Sequence, residues 1–137
     1  MNPTSNKPVI TSDGSATLYN PKSGEHYHST FGAIQESRHI FIESSLSLFL
    51  KRPHIALFEV GFGTGLNALL TMKSGEEQGV DIKYTAVELY PITPEEGQQL
   101  NYPSMLEVDE ALFVRMHKSR QMQISLTEHF YLDKIHE

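Results

Sequence analysis

The order of apolar and polar positions divides the chain into a β-rich beginning and a longer alternation of strands and helices. Short apolar stretches at residues 9–11 and 16–19 flank Ser-Asp-Gly-Ser, in which Asp13-Gly14 can supply the positive φ angles of a tight hairpin turn. A second turn, Asn-Pro-Lys-Ser-Gly at residues 20–24, precedes His-Tyr-His-Ser. This pattern predicts a β-hairpin extension over residues 1–31.

From residue 32 the spacing of apolar residues becomes helical. One stripe is formed by Ile34, Phe41, Ile42, Leu46 and Leu50. Pro53 disfavours helical geometry at the residue before it, so the helix should end there. The following segment, His-Ile-Ala-Leu-Phe-Glu-Val at residues 54–60, is short and almost unbroken in its apolar character. Such a run is typical of a parallel strand that is covered on both faces.

The rest of the chain continues the alternation. A helix begins at Leu66 and is closed by Ser74-Gly75 and Gly79, and a second buried strand covers residues 82–89. Thr93, Pro94 and Glu96 form the capping-box pattern at the start of a helix. A helix at residues 109–118 and a third strand at 129–136 follow. Residues 32–137 are therefore predicted to form a doubly wound α/β sheet with helices on both faces.

Composition narrows the classes of function. The 137 residues are 39% hydrophobic and 20% charged, as in ordinary globular proteins, and they include no cysteine, which excludes disulfides and thiolate sites and suits a reducing cytoplasm. The net charge of −6 argues against a surface for non-specific nucleic-acid binding. The polar N-terminus and the absence of a long apolar run predict a cytoplasmic protein without a membrane span. His26 and His28 could share a strand face, but no third ligand accompanies them, so no metal site is expected.

A glycine-rich turn lies between the first buried strand and the helix that follows it. Gly61, Gly63 and Gly65 allow a ligand to approach the backbone closely, and the amide hydrogens at the start of the helix point outward. The dinucleotide fingerprint G-x-G-x-x-G would place its last glycine at position 66, where this chain has Leu66. The spacing G-x-G-x-G therefore favours a nucleotide-like ligand other than NAD.

Two carboxylates flank this turn in the sequence. Glu59 precedes the glycines and would repel a pyrophosphate but favour a cationic ligand. Glu88 ends the second strand, where a carboxylate can accept hydrogen bonds from both hydroxyl groups of a ribose. The alternative is that the glycines merely form a tight turn and that both carboxylates are exposed strand ends.

Several segments together resemble one known family. G-S-A-T-L-Y-N, G-E-H-Y-H-S, G-A-I-Q-E-S-R-H-I-F-I, E-V-G-F-G-T-G-L-N and T-A-V-E-L-Y-P occur in the order found in the MnmC/MnmD family of tRNA (5-methylaminomethyl-2-thiouridine) methyltransferases. The resemblance extends from about residue 11 to residue 136. It implies a Rossmann-like class I methyltransferase that transfers a methyl group from S-adenosylmethionine to the aminomethyl group of the wobble uridine in tRNA. It also implies a stand-alone methyltransferase, without the flavin oxidase that is fused to it in bifunctional members.

The resemblance assigns roles to individual residues. It implies that the methionine and methyl region of the cofactor is lined by Glu59, Gly61, Gly63, Gly65 and Asn67, and that Glu88 binds the ribose. Tyr27, Ser29 and Glu36 match positions near the family's active-site cleft. Because an amine must be uncharged to accept a methyl group, Glu36 and His28 are candidate proton acceptors. The alternatives are that Glu36 is a surface carboxylate paired with a basic residue and that Tyr27 only packs.

The end of the chain departs from the family pattern. Members continue to a fourth strand that finishes in an acidic D-x-F-A-P segment beside the methyl-transfer site, so the main acidic segment is expected beyond Glu137. We therefore expect the C-terminal strands to be absent and the chain to be a fragment or a natural truncation that lacks part of the catalytic wall. Two other functions stay open: a class I methyltransferase with another amine substrate, and a non-catalytic module that binds a nucleotide or a partner. Oligomeric state is not predicted.

Overall fold

The computed structural model describes residues 5–43, 46 and 51–136. The N-terminal region forms an antiparallel sheet in which β2 (Ala16–Asn20) lies between β1 (Lys7–Ile10) and β3 (Glu25–His26). The predicted hairpin is thus present, with Gly14 in its turn at a φ of 88°. The boundary after residue 31 stays a prediction.

The hairpin turn also caps the first helix. The residue that precedes α1 (Ala33–Ser37) is Gly32, which has no side chain to accept the free N–H groups of the first turn. The turn between β1 and β2 supplies the acceptors instead: Thr11 Oγ1, Ser15 Oγ and Asp13 Oδ2 accept from three consecutive backbone N–H groups, those of residues 33–35, at 3.0–3.2 Å. The N-terminal extension therefore fixes the start of the helix that carries Glu36.

The main sheet has the order β4-β5-β7-β6. The first three strands are parallel, and β6 runs antiparallel to β7. Its strands and helices are β4 (His54–Val60), α2 (Leu66–Gln78), β5 (Asp81–Glu88), α3 (Pro94–Gln98), α4 (Tyr102–Leu106), α5 (Glu110–Met116), β6 (Met122–Thr127) and β7 (Phe130–His136). The predicted strands and the Thr93 capping box are present, and the expected Rossmann-like α/β class is confirmed.

One difference concerns the helix after the glycine turn. Gly75 does not end α2 but lies inside it, where a β-carbon would come within 2.7 Å of Ile82 on the sheet. Glycine at this position therefore allows close packing of the helix on the strand. The helix ends at Gly79, which has a left-handed φ of 67° as expected of a C-terminal glycine.

The core lies between one face of the main sheet and the helices. Tyr84, Leu132 and Phe130 on the sheet are almost completely buried against apolar side chains of α2 and α5, including Leu69 and Met116. Buried residues alternate with exposed or half-buried ones along β5 and β7, as the period of two in a strand requires. The hydrophobic core therefore covers a single face of the sheet.

The prediction that the first parallel strand is covered on both faces was wrong for the part of the chain that the structure describes. Alternate residues of β4 are exposed, and Phe58 and Val60 leave 62% and 83% of their surface accessible. The reason is that the described helices all pack on the opposite face of the sheet. The expected second layer of helices is not among the described residues.

The helical stripe predicted from residue 32 is present in its first half. A π-helical segment, Arg38–Glu43, continues α1, and Ile34 and Leu46 are buried. Leu50 and the side chain of Phe41 lie outside the described residues. In the ranges that are described, no helix has both the length and the apolar character needed to cross a membrane.

Candidate functional site

The glycine turn joins the end of β4 to the start of α2. All three glycines have left-handed backbone conformations, with φ of 86° at Gly61, 57° at Gly63 and 81° at Gly65. Side chains disfavour this conformation, so glycine is required for the path of the chain. A β-carbon on Gly65 would lie 3.0 Å from both Phe62 and His117, whereas one on Gly61 would have no atom within 4 Å. The turn is therefore closely packed on its inner side and open at Gly61.

Glu88 at the end of β5 is in direct contact with this turn. Its Oε1 accepts a hydrogen bond from the Gly63 N–H at 2.7 Å, and its Oε2 accepts one from the Tyr90 N–H at 3.2 Å. Glu88, Tyr27 and Tyr90 also line a cavity of about 550 Å³, a volume that suits a small-molecule ligand. Each carboxylate oxygen can accept a further hydrogen bond, so Glu88 retains capacity for hydroxyl donors.

Glu59 lies on the helix-covered face of β4, close to the first turn of α2. Its Oε2 accepts a hydrogen bond from Asn67 Nδ2 at 3.0 Å, whereas Asn67 Oδ1 is buried without a hydrogen-bond partner. Burial raises the pKa of Glu59, and hydrogen bonds from the Tyr84 hydroxyl and from Asn67 oppose part of that shift. Buried acceptors normally have partners. The unpartnered oxygen of Asn67, with the Glu59 carboxylate next to it, suits a ligand that donates N–H groups.

The residues predicted for a substrate pocket lie beside Gly63 and Thr64 of the turn. The ring of Tyr27 packs against Gly63, at 3.5 Å from the place of an added β-carbon. His28 Nε2 is 2.9 Å from Thr64 Oγ1, and His28 Nδ1 is 3.6 Å from Glu36 Oε1. The Ser29 N–H also donates to Glu36 Oε1, at 3.2 Å. Glu36 thus faces a histidine and a backbone amide rather than the basic residue of the alternative interpretation.

The protonation states in this group follow from burial. Burial lowers the pKa of His28, and the carboxylate of Glu36 partly opposes that shift. A neutral His28 with its proton on Nδ1 points that proton toward Glu36 and leaves Nε2 to accept from the Thr64 hydroxyl. Hydroxyl, imidazole and carboxylate then follow one another as in a hydrolase triad. Thr64 is however 1% exposed, so its hydroxyl is inaccessible to a substrate and does not serve as a nucleophile.

Three residues at this site were not predicted from the sequence: Thr64, His117 and Lys134. His117 Nε2 donates to Thr64 O at 2.8 Å, and burial lowers the pKa of His117 to about 3, so its ring is neutral. Lys134 is 1% exposed, and its Nζ lies over the face of the Phe62 ring. No local pattern reveals them, because His117 and Thr64 are 53 positions apart in the chain.

Within residues 5–43, 46 and 51–136, no three histidine or carboxylate side chains are placed to hold a metal ion.

Comparison with known proteins gives related sequences and a related structure. The tRNA 5-methylaminomethyl-2-thiouridine biosynthesis bifunctional protein MnmC of Magnetococcus marinus is 38% identical over 82 residues, which are 56% of this chain and 12% of that protein. The protein of the same name from Polaromonas naphthalenivorans is 26% identical over 109 residues, 73% of this chain and 17% of the relative. The crystal structure of MNMC2 from Aquifex aeolicus matches 99% of this chain and 43% of that one, with a TM-score of 0.68 and 26% identity.

The matches cover most of this chain but only a part of each related protein. The chain spans less than a fifth of the length of these curated relatives and less than half of the matched structure. No model of a protein family matches it.

Proposed function

This chain is a relative of the MnmC proteins, and from that premise we propose that it carries the cofactor-binding part of an S-adenosylmethionine-dependent methyltransferase that modifies tRNA. The substrate we propose is the aminomethyl group of the modified wobble uridine. The relatives are named for the biosynthesis of 5-methylaminomethyl-2-thiouridine in tRNA, which is the observation that favours this substrate class over other amines.

The observation that carries the cofactor assignment is the buried amide oxygen of Asn67, which has no hydrogen-bond partner and lies beside the Glu59 carboxylate. These two groups suit a ligand with an ammonium group, which the methionine part of S-adenosylmethionine provides. Glu88 would bind the ribose hydroxyls beside its contact with Gly63. The open space at Gly61 would admit the ligand to the backbone. When bound, the cofactor supplies an electrophilic methyl group.

NAD fits the same residues less well. Its pyrophosphate would lie at the glycine turn, close to Glu59 and Glu88. Like charges in a partly buried site repel strongly because the effective dielectric constant is low. The two carboxylates therefore favour a ligand with a positive charge over one with two negative charges.

The amine substrate needs a proton acceptor. An alkylammonium group has no free electron pair, so the aminomethyl group must be deprotonated before the methyl group is transferred. Glu36 is in part exposed, and His28 adjoins it as a neutral imidazole. We assign Glu36 as the acceptor and His28 as the residue that orients it, with Tyr27 and Ser29 lining the approach to the amine.

The first experiment measures binding. Isothermal calorimetry of the chain with S-adenosylmethionine should show one site, whereas NAD at the same concentration should give no heat. Heat with NAD alone would refute the cofactor assignment. Heat with neither ligand would refute it too and would favour a module that binds a partner protein.

The second experiment measures methyl transfer from radiolabelled cofactor by the full-length protein. Label should enter tRNA that carries the unmethylated aminomethyl group and should not enter the same tRNA after methylation. Glu36→Gln should abolish transfer without weakening cofactor binding, and Glu95→Gln, an exposed glutamate of α3, is the matched control that should retain activity. Label in small amines or proteins but not in tRNA would support the alternative methyltransferase.

A further inference from the structure

Lys134 is a fully buried lysine to which the proposed function gives no role. It lies on β7 in register with Ala86 of β5, on the face of the sheet that the helices cover, and 1% of its surface is exposed. Lysine is almost never fully buried unless its charge has a partner, because moving an ammonium group out of water is costly. The groups that contact Nζ therefore indicate the role of the buried ammonium group.

Two groups contact the ammonium. Nζ donates a hydrogen bond to Met116 O at 2.8 Å, at the last residue of α5, where helix carbonyl groups carry a partial negative charge. Nζ also lies 4.6 Å from the ring centroid of Phe62, a distance typical of cation–π contacts. Phe62 is the residue between Gly61 and Gly63. Lys134 thus joins the end of α5 to the glycine turn.

Of the two basic side chains that contact Phe62, Lys134 is charged and His117 is neutral. His117, which follows α5, packs its ring edge-on against Phe62 at a centroid distance of 5.5 Å. It is neutral above a pKa of about 3. Glu88 of β5 favours the charged form of Lys134. The ring of Phe62 therefore contacts both a cation and a neutral imidazole.

We propose that Lys134 is a positioning residue for the cofactor: its ammonium group fixes the ring of Phe62 and thereby sets the backbone of the glycine turn that receives the ligand. This inference rests on the proposed function, which makes the turn a cofactor site. A methionine would fill almost the same space without the cost of burying a charge. The charge acts through its directed contacts with Phe62 and with the carbonyl of Met116.

The direction of the pH dependence follows from the burial of Lys134. Burial lowers its pKa to about 8, and Glu88 opposes part of that shift. The ammonium is therefore present at pH 7 and is lost as the pH rises through about 8. Loss of the proton removes the cation–π contact, so the glycine turn should change its environment with the same midpoint.

A ligand-free experiment tests this directly. In NMR titrations of the chain, the amide signals of Gly61, Gly63 and Gly65 should shift together with the side-chain signals of Lys134, with a midpoint near pH 8. Lys134→Met should abolish that transition, and Lys83→Met, on the exposed face of β5, should leave it intact. Amide signals that do not follow the titration of Lys134 would overturn the inference, whether or not the chain binds S-adenosylmethionine.

Calorimetry then links the contact to the ligand. At pH 7, Lys134→Met should weaken binding of S-adenosylmethionine about tenfold, which lies within the range of a desolvated cation–π contact. Above pH 9 the two proteins should bind equally, because the wild-type amine is then uncharged. The ligand's own titration affects both series and cancels in their ratio. A ratio of the two affinities that stays constant with pH would show that Lys134 only stabilises the core.

If the wild-type chain binds no cofactor, the proposed function fails while the NMR titration still decides the role of Lys134.

A double-mutant cycle measures the coupling between Lys134 and Phe62. Phe62→Leu keeps the apolar bulk and removes the aromatic ring, so it should abolish the pH transition by itself even if Lys134→Met fails to fold. The double variant should bind S-adenosylmethionine no more weakly than either single variant. Additive losses would mean that the two side chains act independently and would overturn the proposal.

Discussion

Gly61 and Gly79 form a matched pair that separates backbone strain from ligand contact. Both have left-handed φ angles, 86° and 67°, and a β-carbon added to either would meet no atom within 4 Å. Gly61 lies in the glycine turn and Gly79 at the far end of α2. Replacing each by alanine adds a methyl group at a positive φ without a steric clash, so the strain should be similar and the main difference lies in the distance from the cofactor site.

The loss of stability should be the same for Gly61→Ala and Gly79→Ala. Placing an L-residue in the left-handed region costs about 1–2 kcal/mol, and no clash adds to it in either case. For a chain of this size that loss lowers the melting temperature by roughly 3–8 °C. Urea denaturation and thermal unfolding should therefore give similar shifts for both variants.

Cofactor affinity should distinguish the two variants. The methyl group of Gly61→Ala would occupy the space through which the ligand reaches the backbone, and crowding of this kind costs about 1–3 kcal/mol. Calorimetry should then show binding of S-adenosylmethionine weakened by about fivefold to 150-fold, whereas Gly79→Ala should bind as the unaltered chain does. Equal affinities for the two variants would refute the assignment of the open space at Gly61 to the ligand.

Three further substitutions test other parts of the structure. Gly65→Ala should lose roughly 2–5 kcal/mol in urea denaturation, because the new β-carbon adds close contacts with Phe62 and His117 to the left-handed strain. Burial raises the pKa of Glu59 in the folded state, so the unaltered chain loses stability as the pH rises from 4.5 through the raised value. Glu59→Gln should remove that loss, so the stability of the variant relative to the unaltered chain should be greater at pH 7 than at pH 4. The same substitution should weaken S-adenosylmethionine binding in calorimetry. Asp13→Ala should lower the free energy of unfolding by about 1–2 kcal/mol in urea denaturation, because the N–H groups of Ser15 and Gln35 lose their acceptor.

Much of the fold could be predicted because its signals are local. The Asp13-Gly14 turn, the Thr93 capping box and the apolar runs of β4 and β5 each specify a conformation within a few residues. The coverage of β4 could not be predicted in the same way. An apolar run shows that a strand is suited to burial, but which of its faces is covered depends on where the helices pack, and here the described helices leave Phe58 exposed.

The candidate site was predictable to a similar degree. Glycine spacing and strand-end carboxylates indicated Gly63 and Glu88, which the structure brings into contact. The sequence also nominated Glu59 and Asn67, but not that they would bond to each other and leave Asn67 Oδ1 without a partner. Such pairing depends on side-chain directions at the junction of β4 and α2. The ligand roles of these residues stay predictions until binding is measured.

The two residues that the G-x-G-x-G spacing leaves unspecified hold this turn in place. Three glycines at positive φ would form a flexible loop by themselves, because glycine loses more conformational entropy on ordering than other residues. Phe62 is held by Lys134 and His117, and Thr64 is held at its carbonyl by His117 and at its hydroxyl by His28. These contacts come from β7, from the end of α5 and from the N-terminal extension. The glycines therefore allow the shape of the turn, but distant parts of the chain select it, and substitutions at those distant positions should alter ligand binding as strongly as substitutions in the turn.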